Sequence, residues 1–396
     1  MVANTHFMLA KWKSRAMDAQ YNSVSDEEMC DGIRQLCYCR VDGVESLLTV
    51  IGDSICLEKV VEEKSGMTSC TRRVTIAGSK NSSGYKDGPG LQARFNLISD
   101  ICVDSDNMVI ICDYQNRCVR MMDLIFPFTV VTMCGRHGSF NAELSEMRFD
   151  YVSNVCVDAL NNIYLCENHG DRISKIDSRR ETIVTFFDNS MVNDLYYGDK
   201  DLKKYCVLSL PTTILIQDNR NLIILNNIKN SLCKVSLYPT KVEGKRWCSV
   251  IKYNLNFNCT IAVDKRGDII VCERQLAGVL AFYKILGNGQ EIHIADKGPS
   301  HIRAVMQVVL RQQDNCDRLC FFTIEHDLAR STHKIVQTRM NMKWDMVRIL
   351  FLACFKPEPD HAEYALKTFE LLPVIGKSGK YSPILKMIID FVNTLF

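Results

Sequence analysis

Between Ser99 and Gly135 the chain alternates short apolar runs with polar turns. ICVD gives way to SDN, IICD to YQNR, VRMMD to a short linker, and FTVVTMCG follows. Runs of this length, rich in Val, Ile and Cys and punctuated by Asp, Asn and Ser, predict short antiparallel strands. The same pattern returns 54 residues later. SGYKDGPGLQARFNLISDICVD (83–104) lies over HGSFNAELSEMRFDYVSNVCVD (137–158) without a gap. Gly84 falls on Gly138, Arg94 and Phe95 fall on Arg148 and Phe149, and Asp104 falls on Asp158. Past the stretch the register holds, with Asn107 on Asn161, Val119 on Ile173 and Asp123 on Asp177. Ungapped self-similarity at a fixed period predicts a repeat architecture, and four short strands per unit predict one blade of a β-propeller.

Weaker copies occupy 212–237, 259–285 and 305–327, and a degenerate first unit spans 46–61 with 72–78. The count predicts six blades. The expected organisation is a partly disordered or helical N-terminal extension over 1–40, the propeller over 41–340 and a helical module over 341–396. In that last segment the period changes. WDMVRILFLACF places Trp344, Val347, Leu350 and Phe351 at helical spacing before Pro357, HAEYALKTFELL repeats the stripe, and Ser382-Pro383 supplies an N-cap and a first-turn proline. The fold class expected is mainly β, a six-bladed propeller with a small α-helical appendage.

The pattern Gly84, Tyr85, Asp87, Gly88, Pro89, Gly90, Ala93, Arg94, Phe95, followed by Val103, Asp104, Asn107, Asp113, Asn116, Val119 and Arg120, resembles the NHL repeat. The resemblance is strong over 77–134, good in the next unit and only patterned beyond 205. It implies a propeller and says little about activity, because one fold hosts many functions. Within the motif Gly88 and Gly90 are expected to relax backbone angles. Phe95 and Phe149 are expected to plug the gap between blades, and Arg94 and Arg148 to reach a neighbouring carboxylate. LLPVIGKSGKYSPILKMIIDFV near the C-terminus faintly resembles an F-box, with an insertion where that motif is continuous.

Cysteine changes the picture only in appearance. The chain has 19 cysteines, yet Cys102, Cys112, Cys156, Cys166 and Cys272 sit inside strand-like apolar runs, where a thiol packs as a small hydrophobe. No CxxC pair is present for a zinc ribbon. The net charge of +2 gives no global pull toward nucleic acid or anionic membrane. The N-terminal apolar patch is short for a secretion signal and no run has membrane-spanning length. A cytoplasmic chain that is not secreted is therefore expected, with the nucleus as alternative.

Candidate chemistry is sparse. A polar residue ends each second strand, at Asp113, Glu167, Asn226, Glu273 and Glu325, and the first strand of several units closes on Asp104, Asp158 or Asp264. A metal or catalytic ring is one reading of the first set. Caps on the backbone amides of the following turn are the favoured one. His169 and His326 follow those acids and His137 sits in a loop, but three inward-facing histidines for a zinc site are not evident. No nucleophile elbow, P-loop or HExxH is found. Hence no catalytic, cofactor or metal residues are expected. Lys245, Arg246 and Trp247, with Trp344, are the candidate interaction residues.

The function expected from sequence is a non-enzymatic interaction scaffold that binds a protein partner. RNA binding and substrate recognition for ubiquitin ligation are the alternatives, with a metal-dependent hydrolase or lyase a distant one. Oligomeric state is open. One prediction stands on the cysteine pattern alone. Titrating thiols in denaturant without reductant is expected to find all 19 free, and a count well below that contradicts the core-filler reading.

Overall fold

The computed structural model describes residues 21–23, 33–41, 43–62, 68–70, 73–135, 149, 151–191, 206–239, 246–255, 259–263, 267–274, 280–287, 289–297, 304–311, 318–327 and 332–341. Its described strands assemble into four-stranded antiparallel sheets that follow the sequence repeat. Blade 1 runs Ile33–Val41, Val44–Ile51, Asp53–Glu62 and Val74–Ser79, with Thr68–Cys70 as a side branch. Blade 2 is Ile98–Val103, Met108–Asp113, Cys118–Asp123 and Val130–Gly135. Blade 3 is Val152–Val157, Ile163–Glu167, Arg172–Ile176 and Ile183–Asp188. Blade 4 holds Pro211–Gln217, Asn221–Asn226, Ser231–Pro239 and Arg246–Lys252. Blade 5 holds Thr260–Val263, Ile269–Arg274, Leu280–Ile285 and Glu291–Lys297. In each blade the strands pair in chain order.

Five blades are thus described with their side chains, where the sequence reading counts six. A further sheet, ordered Tyr21–Ser23, Thr332–Asn341, Arg318–Asp327 and Ala304–Arg311, is described by its strands alone. Its strand Ala304–Arg311 packs beside the first strands of blades 5 and 1. The first strand of blade 1 begins at Ile33, inside the stretch read as an N-terminal extension, because IRQLCYCRV pairs with VESLLTVI across the turn at Gly43, with one slip after Ile33. Helix is nearly absent among the described residues, a short 3-10 turn at Gly90–Gln92 being the main instance. The helical module expected over 341–396 lies outside them apart from the end of one strand.

The core is a series of seams between neighbouring blades. Phe95 is fully buried where Ile76 and Ala77 of blade 1 meet Ile98, Val109 and Val130 of blade 2. Phe149 does the same between blades 2 and 3, against Ile110, Val119 and Val152. The plug role read from the repeat therefore holds. Burying a Phe of this kind contributes about 1.5–3 kcal/mol. The strand cysteines fill the same seams. Cys112, Cys166 and Cys272 are wholly buried, and the cysteines whose side chains are described are free thiols. Desolvation raises the Cys166 thiol to about 12, so it stays protonated and inert.

The innermost strands are joined sideways by polar side chains. Gln35 Nε2 donates to the Ser99 carbonyl of blade 2. Asp100 Oδ2 accepts from Asn154 Nδ2 (2.5 Å) and from the Val155 amide (3.0 Å) of blade 3. Asn154 Oδ1 accepts from the Ile214 amide of blade 4 at 2.8 Å. Asp100 and Asn154 are equivalent positions, so the repeat carries its own stitch from blade to blade.

Asp100 is only 3% exposed, and burial raises its carboxyl to about 7 against the stitching amide bonds, which lower it. An acid whose pKa is higher folded than unfolded holds a proton in the folded state that the unfolded chain has already released. Its contribution to stability is full below about pH 4 and is lost as pH rises to about 7. Asp100→Asn keeps an acceptor for Val155 and removes the titration. The variant is expected to gain on the wild type between pH 4 and 7.5, by a few kcal/mol at about 1.4 kcal/mol per pKa unit. Chemical denaturation across that range checks this, and parallel curves would contradict it.

Candidate functional site

Two faces follow from the meander. The turns between first and second strands lie on the lower face, and the turns between second and third strands lie on the upper face, where the innermost strands begin. On the lower face it is the first-strand acids that cap the following turn. Asp104 Oδ1 accepts the amides of Asp106 and Met108, and Asp158 Oδ1 accepts those of Leu160 and Asn162. The turn asparagines Asn107 and Asn161 take φ of 60° and 61°, which asparagine tolerates better than most residues. Asp264 lies outside the described residues.

The second-strand acids do something the sequence reading missed. The amides of Tyr114 and Gln115, which Asp113 was expected to cap, donate to the carbonyls of Leu97 and Asn96. Asp113 Oδ1 instead accepts the Asn96 amide at 2.8 Å. Asn226 Oδ1 accepts the equivalent Ser209 amide at 3.3 Å. The next amide along is held by the preceding blade, Leu97 by Asp53 Oδ1 and Leu210 by Asp171 Oδ1, both at 2.7 Å. Leu97, Tyr151 and Leu210 all sit at φ between 48° and 61°, a region bulky residues seldom occupy. These side-chain bonds hold the backbone there for Leu97 and Leu210. Asp113 and Asn226 therefore pin the loop that enters their own blade rather than cap the following turn, and the link to the preceding blade is made by Asp53 and Asp171. Glu167 is likewise buried and internally satisfied by Arg172 Nη2 (2.6 Å) and Ser174 Oγ. Glu273 is half-buried near the end of its strand, and the side chain of Glu325 lies outside the described set.

Arg120 is the hub of the repeat motif. Its guanidinium is fully buried and stacks within 4.9 Å of the Tyr85 ring and 5.2 Å of the Phe95 ring. Its nitrogens donate to Asp87, to Asp113 Oδ2 (2.9 Å) and to the carbonyls of Lys86 (2.9 Å) and Arg94 (3.2 Å). Asp87 also accepts the Thr132 amide at 3.0 Å, and Asn116 bridges Asp113 to the Gly84 carbonyl. Arg94 was expected to find a carboxylate. It bonds the carbonyls of Leu91 and Ala93 instead, because Arg120 already occupies the acids. Gly88 does need its φ of 125°. Gly90 is glycine for another reason, since a Cβ there would lie 2.1 Å from the Ile76 carbonyl oxygen. Arg148, Lys245 and Trp344 fall outside the described residues. Arg246 and Trp247 lie in the outer strand of blade 4, their side chains not described.

One cluster on the upper face is not consumed by architecture. Tyr151 occupies the left-handed position ahead of blade 3. Arg117 Nη2 donates to its phenolic oxygen at 2.7 Å, with the guanidinium carbon 4.2 Å from its ring centroid. The Tyr114 ring lies 4.8 Å away, tilted, and the His169 ring 5.2 Å away, edge-on. His169 is exposed. The neighbouring Asn168 Oδ1 is buried with no partner among the described residues. These groups come from the turns 114–117 and 168–171 and from Tyr151, just ahead of the first strand of blade 3. The signal for them lay in the alignment. Tyr151 stands where other units have Leu97 and Leu210, and Arg117 stands where the next has Asp171.

The chain has a β-propeller fold. A gluconolactonase from Xanthomonas campestris matches it with a TM-score of 0.52, covering 81% of this chain and 90% of that one at 9% identity. A second structure with a provisional gluconolactonase assignment gives 0.49 at 8% identity, covering 81% and 92%. Virginiamycin B lyase from Staphylococcus aureus gives 0.43 at 9%, covering 81% and 99%. No protein-family model matches the sequence, and no curated protein sequence matches it. The NHL assignment is thus not shown beyond the propeller itself. The first of these matches also corrects the expectation of a non-enzymatic, protein-binding scaffold. That expectation rested on a fold and motifs without catalysis, and a solved propeller of this fold is an enzyme. Among the described residues no group of three or more His, Cys, Asp or Glu is placed to hold a metal ion, and no helix is long and apolar enough to cross a membrane.

The hub generates a stability prediction. Arg120→Met leaves Asp113 buried without its cation and is expected to cost about 3–5 kcal/mol. Glu167→Gln keeps an acceptor for Arg172 and Ser174 and is expected to cost about 1 kcal/mol. Urea denaturation of both variants checks the ranking, and equal costs would remove Arg120 from the centre of the blade.

Proposed function

We propose that this chain is a propeller enzyme of hydrolase or lyase type, acting on a carbonyl-bearing substrate such as a lactone or ester at the upper face. The observation that carries the reading is the convergence of Arg117, Tyr151 and His169 from separate turns. The gluconolactonase of the same fold supports the substrate class. The repeats are read as NHL-type on the Asp87, Asp113 and Arg120 network, and the sheet containing Ala304–Arg311 as a sixth blade.

The geometry assigns roles to side chains without routing any step through a metal, since the described donors do not fit one. Arg117 donates to the Tyr151 oxygen, which leaves the phenolic hydrogen free to point at a substrate oxygen. As water adds to the carbonyl carbon, exposed His169 takes the water proton, and the oxygen gaining charge accepts from Tyr151. When the C–O bond to the leaving group breaks, the imidazolium returns its proton to that oxygen. A positioned acid–base group contributes about 10²–10⁴-fold to rate.

A panel of γ- and δ-lactones and aryl esters tests the assignment. His169→Ala is expected to lower kcat by about 10²-fold or more with an unchanged melting temperature, because the imidazole is exposed. Tyr151→Phe is expected to lower kcat with little change in KM. Hydrolysis equally fast in both variants, or absent throughout the panel in the wild type, overturns the reading.

A further inference from the structure

The innermost strands share an irregularity the sequence does not advertise. Pairing with the second strand slips by one residue between Ile33 and Gln35, Ile98 and Asp100, Val152 and Asn154, and Pro211 and Thr213. Each slip is a β-bulge at the upper end of the strand, and a bulge re-aims the side chain of its extra residue. The innermost strands pack in sequence around the repeat, so the extra residues Arg34, Ser99, Ser153 and Thr212 occupy one level.

Three of these four positions are hydroxyls, and each hydroxyl is bonded. Ser99 Oγ donates to the Val152 carbonyl (2.7 Å), Ser153 Oγ to that of Cys166 (3.2 Å) and Thr212 Oγ1 to that of Leu225 (3.4 Å). The fourth is a cation. Arg34 is half-buried, and its Nη1 is out of contact with solvent and has no hydrogen-bond partner among the described residues. The carboxylate one position further along the level, Asp100, is turned to blade 3 through Asn154 and Val155. A buried donor left without an acceptor costs about 1–3 kcal/mol, more when charged, so native structures keep one only where something fills it.

We propose that the bulge level is an oxyanion subsite, in which Arg34 receives a carboxylate or phosphate group of the ligand. The neighbouring hydroxyls spend their hydrogens on the backbone, so the attraction comes from the guanidinium, whose planar fork matches both groups. Arg34 is the second residue of the first strand of blade 1, at the end that shares a face with Tyr151 and His169. The subsite therefore makes the substrate of the proposed hydrolase or lyase an anionic one, and that extension rests on the catalytic reading.

Thermal unfolding of the full chain in malonate, inorganic phosphate or chloride at matched ionic strength tests it. Malonate, phosphate or both are expected to raise the wild-type melting temperature above chloride, and the anion that acts identifies the group. Arg34→Met is expected to unfold at or above the wild-type temperature in chloride and to lose the anion response. Arg34→Lys, which keeps the charge without the fork, is expected to retain a weakened response and covers the case in which the first variant does not fold. His169→Ala leaves Arg34 in place and is expected to keep the full shift, so failure of the catalytic reading is told apart from failure of the subsite. No shift in the wild type, or an undiminished shift without the guanidinium, overturns the proposal.

Discussion

Arg120 is the interaction on which the second blade and its entry loop depend. A guanidinium with no exposure at all must have its charge and its hydrogens answered within the protein. Here they are answered by two carboxylates and two carbonyls, with aromatic rings beside it. The partners come from several pieces of the blade. Asp87 comes from the loop between blades, Asp113 from the second strand, and the carbonyls of Lys86 and Arg94 from either side of the 3-10 turn. Asp87 in turn holds the outer strand at Thr132. Burial raises the Asp113 carboxyl, while Asn116, the Asn96 amide and Arg120 pull it back down. One side chain therefore closes a sheet and docks the loop that leads to its innermost strand.

Blade 3 shows how far that device can drift and still fold. Position 120 becomes Ser174, and the arginine appears two residues earlier at Arg172, where it is 35% exposed and bonds Glu167. The acid stays buried while its cation moves toward solvent. Across the seam Arg117 of the second blade bonds Tyr151. The candidate catalytic cluster thus arises at a seam where the repeat has relaxed.

Much of the fold was legible in the sequence because its signals are local. Turn asparagines, strand-ending aspartates and the Arg–Phe pair keep their spacing, and the 54-residue shift aligns them. The partner of Asp87 was not legible, because Arg120 lies 33 residues away and the choice between Arg94 and Arg120 is made in space. The bulges were equally hidden, since a slip in pairing exists only between two strands. The second-strand acids were seen, but their targets were misjudged, because the following turn spends its amides on the preceding loop. Tyr151 and Arg117 break the repeat pattern, and departures from a repeat carry no meaning until the positions they depart from are known to meet.

The outermost strand of the last sheet is Tyr21–Ser23, paired with residues 336–338. A chain built from its N-terminus therefore makes this strand long before its partner exists. Through most of synthesis the ring stays open, with unpaired strand edges of the kind that invite association between chains. Closure is among the most distant contacts the sequence makes, and such contacts form late and slowly. Residues 21–23 thus wait for residues 336–338, and their sheet is completed only when nearly the whole span between them has been made.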